Sequence, residues 1–290
     1  EINDDLSNID LQDCRKILTR LLKYPPSQIK DASLCQMIED VRTQSRNFET
    51  LTKSSTLNSS KMAQTAKYII ADLQKFQHGE LDLADTLAST EVRVTKIMEK
   101  CHLLMNDYDK IANSFYRISK DLRVQNSKIQ LMLHEIKTKE LNDRIKAAKK
   151  GSLTGLGIGT LTAIPVAICI SPVDSGVTLA TTLITGGIIG LALEKSGNEN
   201  DRKLGYQKKI LQEDQKFIES VVNDIEEFQR NVKIFENLWQ QYHDRISEIR
   251  KMGFTSQEIP HSWDGPAIQS MWTQVKNAFE NYSCNVILDS

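Results

Sequence analysis

Apolar residues recur every seven positions through most of this chain, and charged residues fill the gaps between them. The row is clearest at Leu87, Val94, Cys101, Tyr108, Phe115, Leu122, Ile129 and Ile136. A companion row follows three residues later at Ile97, Leu104, Ile111, Ile118 and Met132. Filling both core positions of a heptad makes an a/d seam, the signature of helices packed along their length. Residues 80–150 contain no Gly or Pro, so one helix is expected there. From 84 to 149 it would run roughly 100 Å at 1.5 Å per residue. Residues 194–252 mirror it, with Leu204, Leu211, Ile218, Ile225, Val232, Trp239 and Ile246 on one row. Val221, Phe228, Phe235, Tyr242 and Ile249 fill the second row.

A third long helix is expected over residues 28–77. Leu34, Val41, Phe48, Met62, Ile69 and Phe76 share a seven-residue grid that only Ser55 breaks, with Ile38, Ala66 and Leu73 beside it. The polar run Ser54-Ser55-Thr56 with Asn58-Ser59-Ser60 is expected to weaken this helix in the middle. His78-Gly79 ends it, Gly standing just past a helix end. Two shorter amphipathic helices flank the long ones. Residues 10–23 carry Leu11, Ile17, Leu18, Leu21 and Leu22 before Pro25-Pro26, and residues 267–282 carry Ile268, Met271, Trp272, Val275 and Phe279. Helices of this length and polarity are not stable alone and must pack on neighbours. The expected fold is all-α: an elongated antiparallel bundle of four to five long helices. Residues 1–150 and 194–290 form its tail domain.

The pattern stops at residue 151. Residues 151–193 contain a single charge, Asp174, and eight of the chain's 13 glycines. Two arms, 153–170 and 177–193, each approach the lower limit for a helix crossing a hydrocarbon core of about 30 Å. Ser171-Pro172-Val173-Asp174-Ser175-Gly176 between them is a strong turn signal, so the segment reads as a hydrophobic hairpin head with its tip at Pro172, Asp174 and Gly176. Gly151, Gly155 and Gly159 repeat every four residues, as do Gly186 and Gly190. That spacing lets helix backbones approach closely in lipid. The β-branched, Gly-rich composition equally suits a β-tongue, and periodicity leaves helical hairpin and β-tongue both open. The side chains expected to enter a bilayer are Gly155, Ile158, Gly159, Ile164, Val166, Ile168 and Ile170 on the first arm. Val173, Val177, Leu179, Leu183, Ile184, Ile188 and Ile189 follow at the tip and on the second. Arg144, Lys146, Lys149 and Lys150 before the hairpin and Lys195 after it form a basic collar. Such side chains reach anionic headgroups while their stems stay apolar, and they equally suit a solvated helix end.

Three roles compete for the hairpin: a buried core element, a permanent two-pass anchor, and an element that inserts conditionally. The neighbouring helices already have complete seams, which disfavours the first. Gly, Thr and Pro165 make weak permanent spans, which disfavours the second.

Composition adds exclusions. Formal net charge is −1, without the basic field of a nucleic-acid binder. The five cysteines lack any CxxC, so they form neither a zinc frame nor a dense disulfide frame. Cys14, Cys35 and Cys284 could supply one bridge. The five histidines are scattered, and Gly155-Leu156-Gly157-Ile158-Gly159 lacks the spacing and the Lys-Ser/Thr of a nucleotide loop. No enzyme activity, cofactor or metal is expected. The chain begins at Glu1 with no visible secretory leader; a removed signal peptide and a shortened chain both fit that start.

A coiled-coil bundle broken once by a 40-odd-residue apolar hairpin between its two longest helices resembles the α-helical pore-forming toxins of the cytolysin A (haemolysin E) superfamily. That group includes the haemolysin BL and non-haemolytic enterotoxin components. The resemblance covers residues 28–283 and rests on architecture and the 151–193 segment. It implies a secreted protein, soluble before contact, whose head inserts into the lipid bilayer of a target cell. Subunits then assemble into an oligomeric pore, with or without partner toxin subunits. In some members an N-terminal amphipathic helix lines the pore. Residues 10–23 would be its counterpart, although they carry Asp10, Asp13, Arg15 and Lys16. The alternative from another class is a membrane-anchored coiled-coil adaptor or tether.

Overall fold

The structure, a computed structural model, describes residues 11–24, 31–152, 197–253 and 265–286. These residues form a bundle of five helices, with no strand among them: α1 (Leu11–Lys23), α2 (Ala32–Gln77), α3 (Leu83–Ser152), α4 (Gly197–Gly253) and α5 (Gly265–Asn285). Each helix expected from the heptads is present, with ends shifted by a few residues. Three are long and two short, α1 having 13 residues and α5 having 21. The chain divides into two compact units, Glu1–Ser127 with Asp214–Ser290, and Lys128–Glu213.

The ends of α2 show why the chain turns where it does. The Asp31 carboxylate accepts from Ser33 N at 2.8 Å and Leu34 N at 3.1 Å, occupying two of the free donors of the first turn. Its other oxygen accepts from Gln125 Nε2 on α3 at 2.9 Å. At the far end Gly79 adopts φ 74°, a left-handed value that suits glycine. Glu80 N then donates to Lys75 O and Gly79 N to Phe76 O, both at 2.9 Å, closing a Schellman motif.

In the first unit the long helices run antiparallel to their neighbours. Arg93 of α3 pairs with Asp72 of α2, Cys101 Sγ lies 3.9 Å from Met62 Sδ, and Gln125 meets Asp31. Along α3 and α4 the pairs are Glu91–Arg250, Asp109–Lys233 and Arg123–Glu226. Heptad residues form the core. Val94, Cys101, Tyr108, Phe115 and Leu122 of α3 are fully buried, as are Ile218, Ile225, Val232, Trp239 and Ile246 of α4. Phe48 sits edge-on to Phe228, Phe235 and Tyr108 at centroid distances of 4.8, 5.5 and 5.9 Å. Such aromatic pairs add about 0.5–1.5 kcal/mol each beyond burial.

The polar run in α2 corrects an expectation. It does not interrupt the helix; Thr52, Ser55 and Ser59 are fully buried where α5 docks. Ser55 Oγ lies 2.8 Å from the Thr52 carbonyl, 3.0 Å from Tyr108 Oη and 2.7 Å from Tyr282 Oη. A serine has one proton and it goes to the carbonyl, so Ser55 Oγ is an acceptor for the phenols, and Tyr108 Oη has Thr52 Oγ1 at 3.4 Å as a second acceptor. Ser59 Oγ donates to the Phe279 carbonyl of α5 at 2.8 Å. Leucine at 55 would complete the grid but remove the acceptor two buried phenols share, leaving them each other at 3.3 Å and Thr52 Oγ1 at 3.4 Å. The break in the heptad is therefore the place where α5 is fixed in register.

The bridge open to Cys14, Cys35 and Cys284 is absent: no disulfide joins the described cysteines. Cys14 and Cys101 are buried as small apolar side chains, and burial pushes the Cys101 thiol well above its usual pKa.

Candidate functional site

Two helices lead toward the apolar segment: α3 ends at Ser152 and α4 begins at Gly197. In the second unit the α3 seam is buried at Ile129 and Leu133 and only half-buried at Ile136. Beyond that, Leu141 and Ile145 are 53% and 42% exposed. On α4, Leu204 and Leu211 are half-buried. The Lys208 ammonium lies 2.9 Å from a Glu140 oxygen. Exposed apolar side chains occur along much of α3, Leu103, Val124 and Leu131 among them, and Leu141 and Ile145 continue them among lysines toward residue 151. A surface of that mixture can meet both headgroups and acyl chains.

Of the basic collar, Lys146 is exposed near the end of α3, and Arg144, Lys149 and Lys150 belong to the same helix. The expected insertion residues between Gly155 and Ile189, the tip residues Pro172, Asp174 and Gly176, and Lys195 lie outside the described residues. No described helix is long and apolar enough to cross a membrane. Among the described residues no group of three or more His, Cys, Asp and Glu is placed to hold a metal ion.

Sequence reasoning missed one polar cluster. α1 buries Cys14, Ile17, Leu18 and Leu21, and a charge pair anchors it. Arg20 donates to both oxygens of Asp224 on α4, at 3.0 and 2.9 Å, and the Tyr24 hydroxyl donates to Asp224 at 2.7 Å. Asp224 is only 8% exposed, while Arg20 is half exposed. The Asp224 hydrogen bond raises the Arg20 pKa further above its ordinary value. Burial pushes the Tyr24 phenol up to about 12. Arg42 Nε of α2 donates to the Leu22 carbonyl at 3.2 Å, tying the other side of α1. Asp224 lies one position before core residue Ile225, so a carboxylate flanking the seam was the only available signal.

No protein-family model matches the chain, and no curated protein matches it.

Proposed function

We propose that this chain permeabilises membranes: it carries residues 151–193 as a hairpin, inserts that hairpin into a target bilayer and oligomerises into a pore. The observation that carries the reading is the segment itself, 43 residues with the single charge Asp174, placed between α3 and α4. Two further facts support it. The heptad residues of the first unit are consumed in a core of their own. Leu141 and Ile145 stand exposed among lysines on the approach to the hairpin.

In this reading the bundle is an elongated antiparallel tail and the hairpin a head. At roughly 25 cal/mol per Å² of apolar area removed from water, two arms of this size gain tens of kcal/mol gross on entering lipid. The water-soluble form has to cover them against the bundle or a partner, and contact with lipid releases them. The collar at Arg144, Lys146, Lys149, Lys150 and Lys195 then lies at headgroup depth. Transport or leakage of solutes follows without any covalent chemistry, and the protein is exported to reach its target.

Dye-loaded liposomes test this. Protein purified without detergent is expected to release the dye. A protein that partitions into membranes from synthesis and never releases dye is a two-pass tether instead.

A further inference from the structure

Lys61 of α2 and Lys96 and Lys100 of α3 rim a shallow hollow of about 200 Å³ in the first unit. Its floor is apolar, made by the buried side chains of Met62 and Ile97. The three lysines are exposed, and none of their ammonium groups enters an ion pair or hydrogen bond among the described residues. Two other lysines of these helices are paired, Lys53 with Glu49 at 2.7 Å and Lys110 with Asp107 at 2.8 Å. Lys75 and Lys120, like the rim lysines, are not paired among the described residues, so it is their grouping over an apolar floor that sets the three apart. Lys61 and Lys100 have no carboxylate three or four residues away on their own helices. Lys96 and Lys100 stand four apart, a like-charge spacing that costs helix stability. One carboxylate, Glu99, shares the rim, so two positive charges remain uncompensated there.

Apolar side chains flank this charge. Leu57, four residues before Lys61, is 58% exposed; Leu103, three residues after Lys100, is 53% exposed. At those spacings each neighbours its lysine on the helix surface. A free inorganic anion has no use for them. We propose that the hollow binds the phosphate headgroup of an anionic phospholipid. The three ammonium groups hold the phosphate, and the glycerol and upper acyl carbons rest on Met62, Ile97, Leu57 and Leu103. The site rests on the reading that the protein meets a bilayer and adds to it a preference for anionic membranes.

The test uses the full chain and vesicles of phosphatidylcholine with and without phosphatidylglycerol, with binding read by co-sedimentation. The triple variant K61Q/K96Q/K100Q is compared with K75Q/K120Q/K216Q, which removes three exposed lysines outside the hollow. At about 1 kcal/mol per lysine near an anionic surface, the first triple should lose the preference for phosphatidylglycerol by on the order of a hundredfold. The second should keep it. Equal loss in both triples, or an undiminished preference in the first, overturns the site. So does competition by inorganic phosphate as effective as that by phosphatidylglycerol vesicles. Dye release is recorded separately. Lysine-dependent binding without release contradicts the hairpin reading and leaves this site standing. Release with lysine-independent binding does the reverse.

Discussion

Residues 83–127 of α3 and residues 151–193 lie close together along one chain and follow opposite rules. In α3 most large apolar residues lie on one seam with charges between them, Val92, Leu103, Tyr116 and Val124 standing exposed outside it, and nearly every seam residue is buried against α2, α4 or α5. In 151–193 apolar and small residues occupy all positions, with one carboxylate among them. A stripe of apolar surface is satisfied by one neighbour. A continuous apolar surface needs a solvent of its own kind or complete cover. The first pattern therefore encodes the bundle, and the second, on the reading proposed above, encodes its use. Stability and activity should respond to different residues.

The largest expected effect lies in the apolar segment. Ile158→Lys or Ile188→Lys should abolish dye release while leaving helix content by circular dichroism unchanged, since a lysine in a bilayer centre is costly and the buried core of the described helices is built from other residues. Unchanged release from either variant contradicts the insertion claim. Core substitutions should do the opposite. Phe48→Ala or Trp272→Ala removes a fully buried aromatic and should cost about 3–5 kcal/mol in denaturant unfolding. A loss below about 1 kcal/mol would show that the aromatic layer is not the core.

Smaller effects sharpen the contrast between the two short helices. Asp224→Asn weakens the closer of the two charge pairs that tie Arg20 of α1 to α4, the other being Glu227 at 3.8 Å. Because Arg20 is half exposed and screened, the expected loss is about 1 kcal/mol. Enhanced proteolysis within α1, with α5 still protected, would locate that loss. Tyr282→Phe removes one buried donor to Ser55 and should cost about 1 kcal/mol. It also has a pH signature. Burial raises the Tyr108 and Tyr282 pKa values in the folded protein, so the unfolded chain releases these protons first, near pH 10. The folded state then binds more protons, and stability falls as pH rises above 10. Below that pH these groups contribute no slope. Tyr282→Phe should make the alkaline fall shallower, and an unaltered slope would contradict the assignment.

The helices were legible because a seven-residue repeat is a one-dimensional record of packing. Val94 through Leu122 and Ile218 through Ile246 could be assigned to the core from spacing alone. Ser55 could not. Its role depends on two phenols that arrive from α3 and α5, 53 and 227 residues away in sequence. The Arg20–Asp224 clamp was hidden for the same reason: each residue looks like an ordinary surface charge until α1 is laid on α4. The apolar segment was legible as an anomaly of composition. Its β-branched, Gly-rich run suits helix and strand alike, so periodicity gave no conformation for it.

The central claim is that residues 151–193 breach a bilayer, and dye release from liposomes by the purified chain tests it most directly. The account predicts release by the detergent-free wild-type protein and none by Ile158→Lys at equal folded concentration. A folded wild-type protein that binds vesicles and releases nothing would contradict it.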